Sequence, residues 1–122
     1  MVTTTKKTEI GTSNVVIMLL LECLNGGATL NTAGFAPEAI TEGHMIIEET
    51  ATKTLKPMPI SGAVYAAIPA GHTFKGVLVS DIATAKPFAS VMVRGTANKI
   101  AAPFPYTAAM EAALLLIRFT QD

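Results

Sequence analysis

The apolar and polar positions divide the chain into an opening polar stretch, one apolar run, an irregular region, a series of short apolar segments and a helix-like end. Met1–Asn14 is rich in threonine (Thr3, Thr4, Thr5, Thr8, Thr12) and carries Lys6 and Lys7. It lacks helical periodicity and has almost nothing to bury, so it predicts an extended arm. Val15–Leu24 is β-branched at its start, apolar at both parities and stopped by Asn25-Gly26-Gly27. That pattern predicts a strand buried on two sides and ending in a turn; a helix is the alternative, because Met18–Leu21 are good helix formers. Ala28–Gly43 mixes Thr, Asn, Gly, Pro and Ala around a single large anchor, Phe35, and predicts irregular loop.

From Gly43 onward, Gly and Pro punctuate short apolar segments: His44–Glu49, Lys53–Ile60, Ala63–Ala67, Phe74–Ser80 and Ala89–Arg94. This is the rhythm of a small β-barrel or sandwich. In Ala89–Arg94, Val91 and Val93 point one way while Ser90, Met92 and Arg94 point the other, which predicts one core face and one face toward solvent or a partner. Pro57 and Pro59 remove two N–H groups from one edge and mark an edge strand or extended loop. Thr107–Leu116 is free of Gly and Pro, rich in helix formers and preceded by Pro103 and Pro105, so it predicts a short helix, followed by an extended Ile117–Phe119. Thr107 with Glu111 is a capping box with the acid one position late. The fold class expected is therefore mainly β, a small barrel or sandwich in one domain over residues 15–122, with one short C-terminal helix and an extended N-terminal arm over 1–14.

Composition narrows the function. The 122 residues carry 9 Lys+Arg and 9 Asp+Glu, a formal charge of zero, which leaves no basic footprint for nucleic acid. The longest apolar run is far short of the roughly 18–20 residues that span a bilayer, so no transmembrane helix is expected. Lys6 and Lys7 before Val15–Leu21, with Cys23 beyond, imitate a secretory or lipoprotein signal, but Glu22 beside the cysteine argues against both. One cysteine and two histidines exclude an internal disulfide framework and a Cys/His structural zinc site.

Candidate chemistry is sparse. Glu38, Glu42, His44, Glu48 and Glu49 form the one acid-plus-histidine cluster, which a metal or an acid–base site would use. A strand over His44–Glu49 would send Glu48 and Glu49 to opposite faces, which favours a structural role. His72 reads as a loop histidine. Ser80, Asp81 and His72 do not make a triad, because no Gly-x-Ser-x-Gly elbow surrounds Ser80. No phosphate-binding glycine motif occurs, and the glycine pairs and the Gly62, Gly71 and Gly76 positions read as turns. Cys23 reads as an inert core thiol, and Arg94 as the partner of Glu48, Glu49 or a carboxylate on another molecule. No catalytic residue, metal or cofactor is expected. What remains is a hydrophobic excess: a positive mean hydropathy with 15% charged residues implies apolar surface left exposed on a lone monomer. Self-association or docking on a larger assembly would cover it.

Phe74-Lys75-Gly76-Val77-Leu78-Val79-Ser80-Asp81-Ile82 and Lys86-Pro87-Phe88-Ala89-Ser90-Val91-Met92-Val93-Arg94-Gly95-Thr96-Ala97-Asn98 resemble the "G-V-L … V-x-V-x-G-x-x-N" core of tailed-phage head decoration, or head-fibre (auxiliary capsid), proteins. The resemblance is strongest to those of phages related to Bacteroides-infecting ones and covers about residues 43–119. It implies a β-rich virion protein without catalytic or metal residues, on the outer capsid surface, that binds the major capsid protein as a symmetric homo-oligomer, often a trimer. Gly76, Gly95 and Asn98 match its pattern and read as turn and backbone-geometry positions. Thr3, Thr4, Thr5, Lys6 and Lys7 lie outside the matched region; composition alone makes them the expected capsid or subunit contacts. The alternative is a small-ligand or carbohydrate-binding β module, with Phe35, Tyr65, Phe88, Phe104 and Tyr106 as stacking surfaces. A third reading is a small enzyme built on Glu42, His44 and Glu48.

Overall fold

The computed structural model describes residues 16–24 and 26–121. The proposed arm, with Thr3–Lys7, lies outside them. The strands in chain order are β1 (Ile17–Cys23), β2 (Ala28–Thr29), β3 (Ala39–Ile40), β4 (Met45–Glu49), β5 (Leu55–Pro57), β6 (Ile60–Ser61), β7 (Val64–Tyr65), β8 (His72–Leu78), β9 (Ile82–Ala83), β10 (Phe88–Ala89) and β11 (Val91–Asn98). Helix α1 (Ala108–Ala113) and strand β12 (Ile117–Thr120) follow. The fold is mainly β with one short helix near the C-terminus. The main sheet runs β12-β11-β8-β4-β5, with β1 added on β11. Its ladders are antiparallel except β11 with β12, which is parallel. Three two-stranded ladders, β3 with β9, β2 with β10 and β6 with β7, complete the structure, and the sheets do not close into a barrel.

The central strands are apolar at consecutive positions because the main sheet is covered on both faces. Met45 and Ile47 of β4, Val77 of β8 and Met92 of β11 join Met58, Tyr65, Met110, Leu114 and Ile117 in one core. Their neighbours Ile46, Leu78 and Val91 turn to the other side and join Leu30, Ile40, Leu55 and Ala89 in a second. Period-two alternation thus feeds two cores instead of one core and solvent. The expectation that only one face of Ala89–Arg94 is core is corrected on this point, since Val91 and Met92 are both fully buried. The region expected to be loop, Ala28–Gly43, is not wholly irregular: β2 and β3 pair with β10 and β9 and bring Leu30 and Ile40 onto the second core.

Leu55–Pro57 is an edge of the main sheet, in keeping with Pro57 inside it and Pro59 just beyond. Helix α1 starts at Thr107, whose hydroxyl accepts from the Met110 N–H at 3.2 Å, while the Thr107 N–H donates to the Met110 sulfur at 3.4 Å. A thioether therefore fills the capping-box position where Glu or Gln is usual. Gly76 lies inside β8, not in a turn. A side chain there would strike the backbone of Met92 on the adjacent strand, and one at Gly95, φ +154°, would strike Leu19. Both glycines permit β11 to be approached closely by a neighbour. Asn98, the last residue of β11, is fully buried. Its Oδ1 accepts from the Ile100 N–H at 3.1 Å, and its Nδ2 has no partner among the described residues.

Candidate interaction surface and groove

Strand β1 is where the apolar excess of the sequence comes to the surface. It pairs with β11, but the register slips between Met92 and Arg94, between Arg94 and Gly95, and between Thr96 and Ala97. Val93 on β11 and Leu21 and Met18 on β1 are left without cross-strand partners. Slips of this kind break the two-residue alternation, so apolar side chains emerge on both faces. Met18 is 39% exposed, Leu19 51%, Leu20 44% and Leu21 55%. The expectation of a strand buried on two sides is therefore right about the strand and wrong about its burial. Two-sided apolarity marks two cores in β4, β8 and β11; in β1 it marks a surface.

The patch extends beyond β1. Gly95 has Leu20 as its register partner on one side and Ile117 on the other, and its N–H donates to the Leu116 carbonyl at 3.2 Å. Leu115 is 84% exposed and Leu116 66%. Glu22 and Arg94 are register partners and both exposed. Arg94 makes no ion pair among the described residues: Glu48 is taken by Lys75 at 3.9 Å and Glu49 by Lys56 at 3.3 Å. The expected intramolecular pairing of Arg94 with either acid is corrected accordingly.

A separate groove of about 630 Å³ lies between the loop at 31–37 and the β5 edge. Phe35, Ile47, Pro57, Pro59 and Ile60 supply its apolar wall, and Lys56 and His72 its polar end. The Lys56 ammonium donates to His72 Nε2 at 3.1 Å and contacts the Glu49 carboxylate at 3.3 Å, and His72 Nδ1 donates to the Ala70 carbonyl at 3.0 Å. The side-chain hydrogen bond and charge of Lys56 hold the Glu49 carboxyl below its ordinary range.

The residues weighed for catalysis are not brought together. His44 is 1% exposed; its Nε2 donates to the Met58 carbonyl at 2.9 Å and its ring is met edge-on by Phe35, Tyr65 and Phe104. Burial lowers its pKa, opposed by the Met58 hydrogen bond. Glu42 is occupied elsewhere, accepting the Ile17 N–H at 2.9 Å. Ser80 and His72 lie beyond and at the start of β8, so the length of the strand, roughly 20 Å, separates them. Asp81 caps a loop by accepting the Glu42 N–H at 2.7 Å. Among the described residues no three His, Cys, Asp or Glu side chains are placed to share a metal ion.

Of the five aromatic candidates for stacking, Tyr65 and Phe104 pack on His44, and Tyr106 packs on Phe119 while donating to the Gly43 carbonyl at 2.6 Å. Burial pushes both tyrosine pKa values upward. Phe88 is 63% exposed, and Phe35, although its ring also meets His44 edge-on, lines the groove; these two are the aromatic candidates placed to meet a ligand. The groove itself was missed by sequence reasoning, although the proline spacing at Pro57 and Pro59 marks one of its walls. Among the described residues no helix is long and apolar enough to cross a membrane. No family model, curated protein or solved structure matches this chain.

Proposed function

We propose that this chain is a non-catalytic building block that self-associates and docks on a larger protein shell, with the apolar surface of β1 and Leu115–Leu116 as one contact region and residues 2–14 as a further contact with the shell. The observation that carries the reading is the exposure of four consecutive apolar residues, Met18–Leu21, on a sheet strand. Apolar patches of this kind are covered in working assemblies. The likeness of Phe74–Asn98 to head decoration proteins supplies the specific version: a virion protein that binds the major capsid protein on the outer capsid surface as a symmetric homo-oligomer. His44, the one buried histidine, supports a structural role because its ring is walled in and bonded to a backbone carbonyl.

Co-expression with the major capsid protein of the same genome tests the reading. The chain is expected to sediment with assembled shells, and a variant lacking residues 2–14 is expected to keep its circular dichroism but lose the shells. A folded full-length chain that stays in the supernatant refutes shell binding, and undiminished binding by the truncated form refutes the arm as the contact.

The groove beside Phe35 favours the second reading, a small-ligand or carbohydrate-binding module. It predicts glycan-array binding by the isolated protein that Phe35→Ala abolishes.

A further inference from the structure

Among the described residues, β1 pairs with β11 alone, so its outer edge presents backbone N–H and C=O groups without ladder partners, except at its start, where the Ile17 N–H donates to the Glu42 carboxylate at 2.9 Å; the free stretch is therefore centred on Leu19–Leu21. We infer that this edge pairs antiparallel with the β1 edge of a second copy of the chain, across a two-fold axis near Leu20, so that two molecules share one continuous sheet. The inference rests on the self-assembly reading for the need to cover β1, and adds the occupant, the strand direction and the symmetry.

The occupant follows from comparing the available edges. At the far side of the sheet, β5 is Leu55-Lys56-Pro57, where Pro57 has no N–H to offer and Pro59 follows two residues on. Lys56 stands just before Pro57, held by Glu49. Proline and lysine are the residues that keep an edge from accepting a strand. Strand β12 is only four residues long and carries an exposed Arg118. Strand β1 is seven residues long, with Glu22 as its single charge. Head-to-tail assembly, which a ring of three requires, needs a second edge complementary to the first. A two-fold needs only β1.

Strand direction follows from the position of Glu22. Parallel, in-register pairing of two β1 strands sets Glu22 against Glu22, and like charges directly opposite are destabilising. Antiparallel pairing about Leu20 sets Glu22 against Met18, Leu19 against Leu21 and Ile17 against Cys23, which leaves the carboxylate beside a thioether at the rim and joins leucine to leucine at the centre. Bulges commonly blunt an edge. The unpaired residues here are Met18 and Leu21, so the slips enlarge the apolar contact instead of adding charge to it.

Light scattering on the full-length protein after size exclusion tests the pairing. The expected mass is twice that of the monomer, falling twofold in Leu20→Lys with an unchanged far-ultraviolet circular dichroism spectrum. In a Cys23→Ser background, Leu20→Cys places two thiols on facing residues at a spacing that a disulfide can span. Oxidation is expected to give a covalent dimer there and not with Leu115→Cys. A monomeric or trimeric wild type overturns the pairing, as does a dimer that survives Leu20→Lys and fails to cross-link. Sedimentation of those same proteins with shells would still uphold the shell-docking part of the proposed function, so the two can fail separately.

Discussion

His44 and Met58 are joined by a hydrogen bond of 2.9 Å from the imidazole Nε2 to the main-chain carbonyl, buried in an aromatic enclosure that also fixes the start of β4. On either side of His44, the Met45 N–H donates to the Tyr65 hydroxyl at 2.9 Å and the Gly43 carbonyl accepts from Tyr106 at 2.6 Å. Three successive residues are thus tied by side chains and backbone from distant parts of the chain. The residue most suggestive of chemistry in the sequence is the one most fully committed to architecture.

This enclosure makes stability depend on pH in a definite window. Burial lowers the His44 pKa below its ordinary 6.5, so under mildly acidic conditions the unfolded chain binds a proton that the folded one does not. Stability is therefore level above about pH 6.5 and falls below it, by at most about 1.4 kcal/mol per pH unit until the folded-state pKa is reached. Glu49 acts lower down: its depressed pKa contributes stability above 4.5 that is lost as pH falls further. Urea midpoints between pH 7.5 and 5 should show the first slope, and His44→Gln should flatten it. An unchanged slope in that variant assigns the effect to another group.

Gly76 and Gly95 have no room for a methyl group, because the backbone of a neighbouring strand occupies the space in each case. Gly76→Ala and Gly95→Ala are each expected to lower unfolding free energy by about 1–3 kcal/mol, as overpacking does. Gly62→Ala is the comparison: it meets open space, and its cost is confined to its φ of +64°. Denaturant titration of the three variants checks the ranking.

Much of the fold was legible in these residues because their constraints are local. Pro57 and Pro59 announced an edge, Thr107 announced a helix start, and Met45–Ile47 and Val77–Leu78 announced strands. What was not legible depended on register. Nothing in Ile17–Cys23 distinguishes a strand between two cores from one whose slips against β11 expose both faces; the slips, which leave out Val93 on β11 and Leu21 and Met18 on β1, exist only in the pairing with a strand some 70 residues away. The groove escaped for the same reason, since the 31–37 loop and the β5 edge meet only in the folded chain. Arg94 fell to the competition of Lys56 and Lys75 for the two acids of β4.

Among the described residues, Lys53 is the one non-glycine residue at positive φ, +62°, in the exposed turn between β4 and β5. Left-handed backbone costs an L-residue roughly 1–2 kcal/mol, and glycine removes that cost while adding unfolded-state entropy. Lys53→Gly is expected to stabilise the protein by about 0.5–1 kcal/mol in thermal denaturation. A loss of stability would mean that the lysine side chain supports the turn.

Tyr106 closes the enclosure from the C-terminal side, and Tyr106→Phe keeps its packing on Phe119 while removing one hydroxyl. The Gly43 carbonyl then loses a donor in a half-buried setting, with an expected cost of about 1–3 kcal/mol. The mutation should leave sedimentation with shells unchanged, because Tyr106 is not part of the exposed patch.

Leu114 and Leu115 are adjacent in sequence and opposite in consequence. Leu114 is buried in the first core, while Leu115 is 84% exposed just past the end of α1. Leu114→Ala is expected to cost about 2–5 kcal/mol by opening a cavity between α1 and the sheet. Leu115→Ser should stay within about 0.5 kcal/mol of the wild type, as surface changes usually do. If the patch works as a docking surface, Leu115→Ser should also weaken sedimentation with shells. A Leu115→Ser protein that folds and docks like the wild type confines the contact to β1, and one that unfolds shows that Leu115 contributes to packing despite its exposure.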